Sequence, residues 1–268
     1  MLTPKEMDVA RRYVRNKCGF EPHAAVILGS GIPAPDVDVE CEVAFGEVPF
    51  LAPASVHGHR GVFVFGRAGD TPVVLAVGRL HLFEGIPADV VTLPVRLFAR
   101  LGCHVVVVTG AVGSLRDEFA LGDVVIIKDH INLSGASPFA GSHHQDLGPR
   151  FVVAAEAYDP TLRATAHRAA EALGYAVKEG VYVAVPGPNY ETAAEARAYA
   201  QLGGDVIGMS VVNEVLVARQ EKMSVLGLCA VVNRAGSAEV SHEEVVRNAA
   251  APGAAIARIV TSLLTSHV

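Results

Sequence analysis

The segment at residues 105–114, VVVVTGAVGS, is the stretch that decides the fold class. Its four consecutive valines are β-branched and leave no polar face, which is typical of a strand covered on both sides. Polar and glycine residues begin at Thr109, so we expect the strand to end there and a loop to follow. Seven further apolar runs are predicted to be strands, at residues 24–28, 62–65, 73–77, 124–127, 181–185, 205–207 and 225–232.

Helix-like stretches alternate with these runs along the chain. They lie at residues 3–17, 87–101, 160–173, 192–202, 210–220 and 242–264. Alternation of this kind predicts an α/β fold in which a central β-sheet is flanked by helices. The pair Gly69-Asp70 separates two strand runs and predicts a hairpin, so the sheet is expected to be mixed. We expect a single domain over residues 1–268, with one long irregular loop at 132–150.

Composition and charge narrow the function classes. With 51% hydrophobic residues and 19% charged residues, 268 residues can bury a large core. A net charge of −6 gives no general attraction for nucleic acid or for an anionic membrane, so we expect neither as a partner. Four cysteines without CxxC spacing predict reduced core thiols, and the N-terminus lacks a signal-peptide pattern, so a cytoplasmic location is expected.

Unusual polar residues follow six of the apolar runs. These polar segments begin at Gly29, Gly78, Thr109, Pro186, Gly208 and Asn233. Ligands of α/β sheets bind at the carboxyl ends of the strands, so these segments are expected to form one site.

The triplet Gly29-Ser30-Gly31 offers backbone N–H groups and a hydroxyl that suit a phosphate oxygen, and a plain turn is the alternative. The same residues fit the start of a dinucleotide-binding GxGxxA motif. Pro33 and Pro35 oppose that interpretation, because they would disrupt the helix that should receive the pyrophosphate.

Arg79 follows a buried strand, where a guanidinium needs an anion. It could bind two phosphate oxygens, or it could be a surface arginine or form a core ion pair, for example with Glu84. His59 could donate to an anion, ligate a metal or be an ordinary loop histidine. His143 and His144 have no acidic or cysteine companions at metal-ligand spacing, so no metal site is predicted.

Two residues near the ends of later runs could recognise a heterocyclic base. Glu191 lies where a helix begins, either as an acidic residue favoured by the helix dipole or as an acceptor for ring N–H groups. Asn233 ends a very apolar run and must find partners if it is buried, and an amide suits a purine edge. Tyr190 and Met209 are either core residues or the walls of a nucleoside pocket.

These motifs together resemble the trimeric purine nucleoside phosphorylase and methylthioadenosine phosphorylase family along nearly the whole chain. The segments that carry the resemblance are ILGSG at 27–31, GHRG at 58–61, GRLHLFEG at 78–85, GDVVIIKDHINLSG at 122–135, GPNYET at 187–192, GMS at 208–210 and VVNRA at 231–235.

The resemblance implies a function for each member of the site. Phosphate would be bound by Ser30, His59, Arg79, the Ala111 N–H and Ser210, with His81 nearby. The purine would be bound by Glu191 and Asn233 and stacked by Tyr190, while Met209 and His242 would contact the ribose. Phe151 would reach the active site of a neighbouring subunit in a homotrimer.

The resemblance also implies the reaction, which is phosphorolysis of 6-oxopurine nucleosides to the free base and α-ribose 1-phosphate in purine salvage. Asn233 would assist the leaving purine, phosphate would attack an oxocarbenium-like ribose, and no metal or organic cofactor would be needed. This chain departs from the usual pattern at Phe83, commonly Tyr, and at Val211, commonly Thr. It also departs at Gly110, Val112, Ser114 and Asn213.

Three alternatives remain from the sequence. A methylthioadenosine phosphorylase shares the fold and the reaction, but it usually carries Asp at the position of Asn233 and an apolar wall where His242 lies. A dinucleotide-dependent oxidoreductase and a nucleotide-binding regulatory module are the others. Activity with inosine and phosphate would distinguish the phosphorylases from both.

Overall fold

The structure is a computed structural model that describes residues 3–56, 60–141 and 143–266. The strands in the described ranges are β1 Ala24–Leu28, β2 Asp38–Ala44, β3 Val62–Ala68, β4 Thr71–Val77, β5 Val105–Ser114, β6 Val124–Asn132, β7 Val177–Ala184, β8 Val206–Gly208 and β9 Ser224–Arg234. The helices there are α1 Pro4–Cys18, α2 Ala88–Val91, α3 Leu93–Leu101, α4 Pro160–Ala172, α5 Ala193–Gln201, α6 Val212–Gln220 and α7 His242–Thr265.

All nine strands join one mixed sheet in the order β2-β3-β4-β1-β5-β8-β7-β6-β9. Strand β1 is parallel to both β4 and β5, whereas β3 is antiparallel to β2 and to β4. Strand β9 also pairs in parallel with β5, so the strands from β5 to β9 close into a ring. The mixed sheet expected from the hairpin at Gly69 is therefore confirmed.

The sheet is covered by apolar residues on both faces, which explains the continuous valine runs. On β1, Ile27 joins a core cluster that includes Met7 of α1 and Phe98 of α3. The adjacent Val26 points to the other face and joins a cluster that includes Ile256 of α7. Alternate side chains of one strand thus enter two cores, as a sheet between two helical layers requires.

Strand β2 was not predicted, because it contains no apolar run. Its sequence is DVECEVA, and Val43 is its one buried residue. It pairs along one side with β3 and lies at the edge of the sheet. Charged side chains are common on such edges because they discourage pairing with other chains.

The prediction of a loop at residues 109–114 was wrong, because strand β5 extends through them. The strand continues through Gly110 to Ser114 and pairs there with β9, and its last two residues also pair with β8. Glycine and alanine are poor strand formers, so this extension is determined by tertiary pairing rather than by local preference.

The predicted helices are present, with one division. The stretch at 87–101 is interrupted at Thr92, two residues before Pro94, where α2 ends and α3 begins. Proline cannot donate the hydrogen bond that a continuous helix would need at that position. In the described ranges, no helix is both long enough and apolar enough to cross a membrane.

Two cysteines form a disulfide, contrary to the expectation of four reduced thiols. Cys18 at the end of α1 is bonded to Cys41 of β2, and their Cα atoms are 5.6 Å apart. The pairing could not be deduced from spacing, because it depends on α1 packing beside the unpredicted strand β2. Cys103 and Cys229 are buried and free, as expected.

We predict that this disulfide stabilises the oxidised protein. The bonded residues are separated by 23 positions, and closing a loop of that size stabilises the fold by about 3 kcal/mol through the unfolded state. Urea unfolding of Cys41→Ser without reductant should therefore show that loss. With dithiothreitol present, the variant and the parent protein should unfold alike, and a loss that persists there would contradict the prediction.

Candidate active site

The segments that follow β1, β4, β7 and β8 meet at one pocket, together with the carboxyl-terminal parts of β5 and β9 and the start of α7. The pocket has a volume of about 360 Å³. Ten of the twelve predicted site residues line it: Ser30, Arg79, His81, Ala111, Tyr190, Glu191, Met209, Ser210, Asn233 and His242. His59 lies outside the described residues. Phe151 is not in this pocket, and its side chain is 89% exposed.

The part of the pocket beside Gly29 and Gly110, where the sequence predicts a phosphate site, is built on small residues. A Cβ atom on Gly29 would lie 2.8 Å from both the Thr109 carbonyl oxygen and Gly110 Cα, so only glycine allows β1 and β5 to approach there. The Thr109 hydroxyl accepts the Gly29 N–H at 3.0 Å and donates to the Ile27 carbonyl at 3.0 Å. This bridge fixes the backbone that carries Ser30 into the pocket.

Arg79 is 2% exposed and is paired with a carboxylate that the sequence did not suggest. Its Nε donates to Glu214 Oε1 at 3.2 Å, and its Nη2 lies 3.0 Å from Glu214 Oε2. Its Nη1 donates to the Thr109 carbonyl and, at 3.3 Å, to the Ser210 hydroxyl. The ion-pair partner is therefore Glu214 rather than Glu84.

Glu84 instead pairs with His81. It accepts the backbone N–H of His81 at 2.7 Å, and the His81 Nδ1 lies 3.1 Å from the same carboxylate oxygen. Burial alone would raise the pKa of Glu84, but hydrogen bonds from Ser55 and His81 hold that pKa below its ordinary value. The ring of Phe83 stacks on His81 with centroids 4.6 Å apart, which places an apolar ring in the pocket wall.

Ser210 lies in a tight turn with unusual backbone geometry. The Val212 N–H donates to the Ser210 carbonyl at 2.8 Å, and Val211 has φ 69° and ψ −59°. These values define a γ-turn, which is strained for a β-branched residue. The hydroxyl of the buried Tyr182 accepts the Ser210 N–H at 3.2 Å, so the turn is also held from within the sheet.

The pocket lining also includes a carboxylate, Glu191, and an amide, Asn233. Glu191 precedes Thr192, the N-cap of α5, and therefore lies outside the helix it was expected to begin. Burial raises the pKa of Glu191, and the nearby Glu195 raises it further. Asn233 is in β9 opposite Gly113 of β5, where a side chain on Gly113 would crowd the Asn233 amide.

Two residues that shape the site were missed. Tyr182 is enclosed in a strand and gives no polar signal, so the sequence could not indicate its contact with Ser210. Glu214 did leave a signal, because it is an acidic residue within the apolar stretch VVNEVLVA of α6. A buried acid requires a cation, and Arg79 was a buried cation already expected to need an anion. Among the described residues, no cluster of three or more metal-ligating side chains occurs.

Comparisons with known proteins agree with this geometry. A model of the Phosphorylase superfamily matches residues 23–265. Purine nucleoside phosphorylase 1 of Geobacillus stearothermophilus is 39% identical over 245 residues, covering 90% of this chain and 89% of that protein. The mouse (Mus musculus) purine nucleoside phosphorylase is 35% identical over 277 residues, covering 99% and 96%.

Solved structures show the same fold. Purine nucleoside phosphorylase of Schistosoma mansoni in complex with inosine has a TM-score of 0.92 and 30% identity, covering 99% of this chain and 98% of that one. The same enzyme in complex with adenosine has a TM-score of 0.89 and 29% identity, with the same coverage.

Proposed function

The chain belongs to the Phosphorylase superfamily, within it to the purine nucleoside phosphorylases, and we propose that its pocket performs phosphorolysis of 6-oxopurine nucleosides. The products are the free base and α-ribose 1-phosphate. The observation that carries the proposal is that one pocket is lined by both kinds of group: Arg79, Ser30 and Ser210 can bind an anion, while Glu191 and Asn233 can recognise a base.

Phosphate binds at the end that holds Arg79. The guanidinium, the hydroxyls of Ser30 and Ser210 and the backbone N–H of Ala111 donate to its oxygens, and His81 lies beside it. His59 is assigned to the same anion from the sequence. Because Arg79 and Ser210 are already hydrogen-bonded to each other, little reorganisation accompanies phosphate binding.

The nucleoside spans the rest of the pocket. Glu191 accepts N–H groups of the purine, Asn233 donates to N7, and Tyr190 stacks on the ring. Met209 packs under the ribose, and His242, the first residue of α7, binds the 5′-hydroxyl. Phe83 has no hydroxyl to offer the sugar, so the ribose is held there by apolar contact.

The reaction breaks one bond and forms one. The C1′–N9 bond breaks, its electron pair leaves with the purine, and the hydrogen bond from Asn233 to N7 stabilises that charge. A phosphate oxygen then bonds to the oxocarbenium-like C1′ from the opposite face. Inversion gives the α-phosphate, and no covalent enzyme intermediate forms. The pocket acts by positioning the reactants and by electrostatic stabilisation.

The test of the proposed function is phosphate dependence. Inosine cleavage should require inorganic phosphate, with hypoxanthine and ribose 1-phosphate formed in equal amounts. Cleavage at the same rate in a phosphate-free, non-nucleophilic buffer would show a hydrolase and overturn the proposal. Efficient cleavage of methylthioadenosine but not inosine would instead favour the methylthioadenosine phosphorylase alternative.

We propose that the active unit is a homotrimer in which Phe151 covers the nucleoside of an adjacent subunit. Phe151 is 89% exposed, so its ring packs little against the part of its own chain that the structure describes. Closed cyclic assembly would bury it, and burial of a phenylalanine is worth about 1.5 to 3 kcal/mol, or roughly tenfold or more in affinity.

We therefore predict that Phe151→Ala raises the KM for inosine about tenfold or more and leaves the trimer intact in sedimentation. Val153 is 75% exposed and lies two residues along, so Val153→Ala serves as a matched control that should have little effect on KM. A fully active monomer, or an equal effect of both substitutions, would count against the assignment.

A further inference from the structure

The guanidinium of the buried Arg79 contacts Glu214 on one side and the residues of the pocket on the other. Nε and Nη2 face Glu214 at 3.2 and 3.0 Å, whereas Nη1 contacts Ser210 at 3.3 Å. Nη1 also lies 3.8 Å from where a Cβ of Gly110 would be. Ser210 and Gly110 both line the pocket, so Nη1 is at the pocket wall and Glu214 lies behind it.

Glu214 is itself fixed by its surroundings. It is 4% exposed and lies in the first turn of α6, and its two carboxylate oxygens lie 3.2 and 3.0 Å from Nε and Nη2 of Arg79. Burial raises the pKa of Glu214, while the charge of Arg79 opposes that shift. The carboxylate that contacts the guanidinium therefore belongs to the helix that begins directly after the strained turn of Ser210 and Val211.

We infer that Glu214 is a positioning residue for phosphate, an inference that rests on the proposed function. The Nε hydrogen bond and the close Nη2 contact with one carboxylate restrict rotation of the planar guanidinium, so the carboxylate orients Nη1. Because Nη1 donates to the Thr109 carbonyl and to the Ser210 hydroxyl, the orientation of the guanidinium also determines how Nη1 meets that hydroxyl. Glu214 thus acts on phosphate through Arg79 and Ser210, without contacting phosphate itself.

The first test replaces Glu214 by Gln, which has nearly the same size. Its NH₂ group is a donor and cannot accept a hydrogen bond from the guanidinium, which also only donates. We expect the phosphate KM to rise about tenfold or more, as the loss of a charge-assisted contact implies, while the KM for inosine changes less than about twofold. Glu214→Asp retains the charge but is one methylene shorter and cannot reach both Nε and Nη2 of Arg79 from the same backbone position, so it should also raise the phosphate KM.

The chain offers a matched control at the other end of the same helix. Glu221 follows α6 and pairs with the buried Arg96, with Nη1 and Oε1 2.8 Å apart. Glu221→Gln removes the same kind of buried ion pair far from the pocket wall. We expect it to lower the melting temperature, as Glu214→Gln does, without changing the phosphate KM.

A double variant shows whether Glu214 acts through Arg79. In an Arg79→Ala background, Glu214→Gln should raise the phosphate KM much less than it does alone. An unchanged phosphate KM in Glu214→Gln, an equal rise in Glu221→Gln, or full additivity with Arg79→Ala would each overturn the inference. A parent protein that cleaves inosine without phosphate would refute the proposed function instead.

Discussion

Adenosine is expected to be cleaved at least about 10⁴-fold less efficiently than inosine. Inosine presents a protonated N1, which can donate to the Glu191 carboxylate. Adenosine has an unprotonated N1, so two acceptors would face each other in the pocket. Sites built around such hydrogen bonds reject a mismatched substrate by about this factor, because the buried group is left unpaired.

The measurement is kcat/KM for inosine, guanosine and adenosine with saturating phosphate. A measurement of adenosine binding would not test this prediction, since a related enzyme has been crystallised with adenosine. Asn233→Asp supplies an acceptor for a 6-amino group, so the ratio should shift toward adenosine even if both rates fall. Equal efficiency of the parent protein with adenosine and inosine would show that the assigned pairing is wrong.

The pH dependence provides a second readout of Glu191. Burial raises its pKa, so the carboxyl becomes protonated at a higher pH than an exposed glutamate does. The protonated acid cannot accept the N1–H. The kcat/KM for inosine should therefore decline as the pH falls through this raised pKa, and Glu191→Gln should lose that acid limb along with most of its activity.

The position of the site could be predicted from the sequence because strand ends gather in an α/β sheet. Ser30, Arg79 and Asn233 each follow or end an apolar run, so the sequence alone was enough to predict that they lie close together. The strands that were predicted correctly are those buried on both faces. Strand β2 was missed because it is an edge strand whose charged residues conceal its pairing.

The partners within the site could not be predicted in the same way. His81 and Glu84 are three residues apart, so proximity along the chain could have suggested that pair. Arg79 and Glu214 are separated by 135 positions, and only the packing of α6 against the sheet brings them together. The continuation of β5 through Gly110 depends likewise on β8 and β9, which are distant in sequence.

Arg79→Ala is expected to raise the phosphate KM by about 10- to 150-fold, which corresponds to the 1.5 to 3 kcal/mol of a hydrogen bond to a charged group. It should also destabilise the protein by about 3 to 5 kcal/mol, because Glu214 would remain buried without its counter-charge. Kinetics must therefore be measured on protein shown to be folded by circular dichroism.

The double variant Arg79→Met with Glu214→Leu separates the two effects. Apolar residues of similar size often replace a buried ion pair with little loss of stability, so this protein should unfold close to the parent. It nevertheless lacks the guanidinium, so its phosphate KM should be at least as high as that of Arg79→Ala. Recovery of phosphate binding together with stability would mean that Arg79 serves the fold alone, and unchanged phosphate saturation in Arg79→Ala would remove it from the anion site.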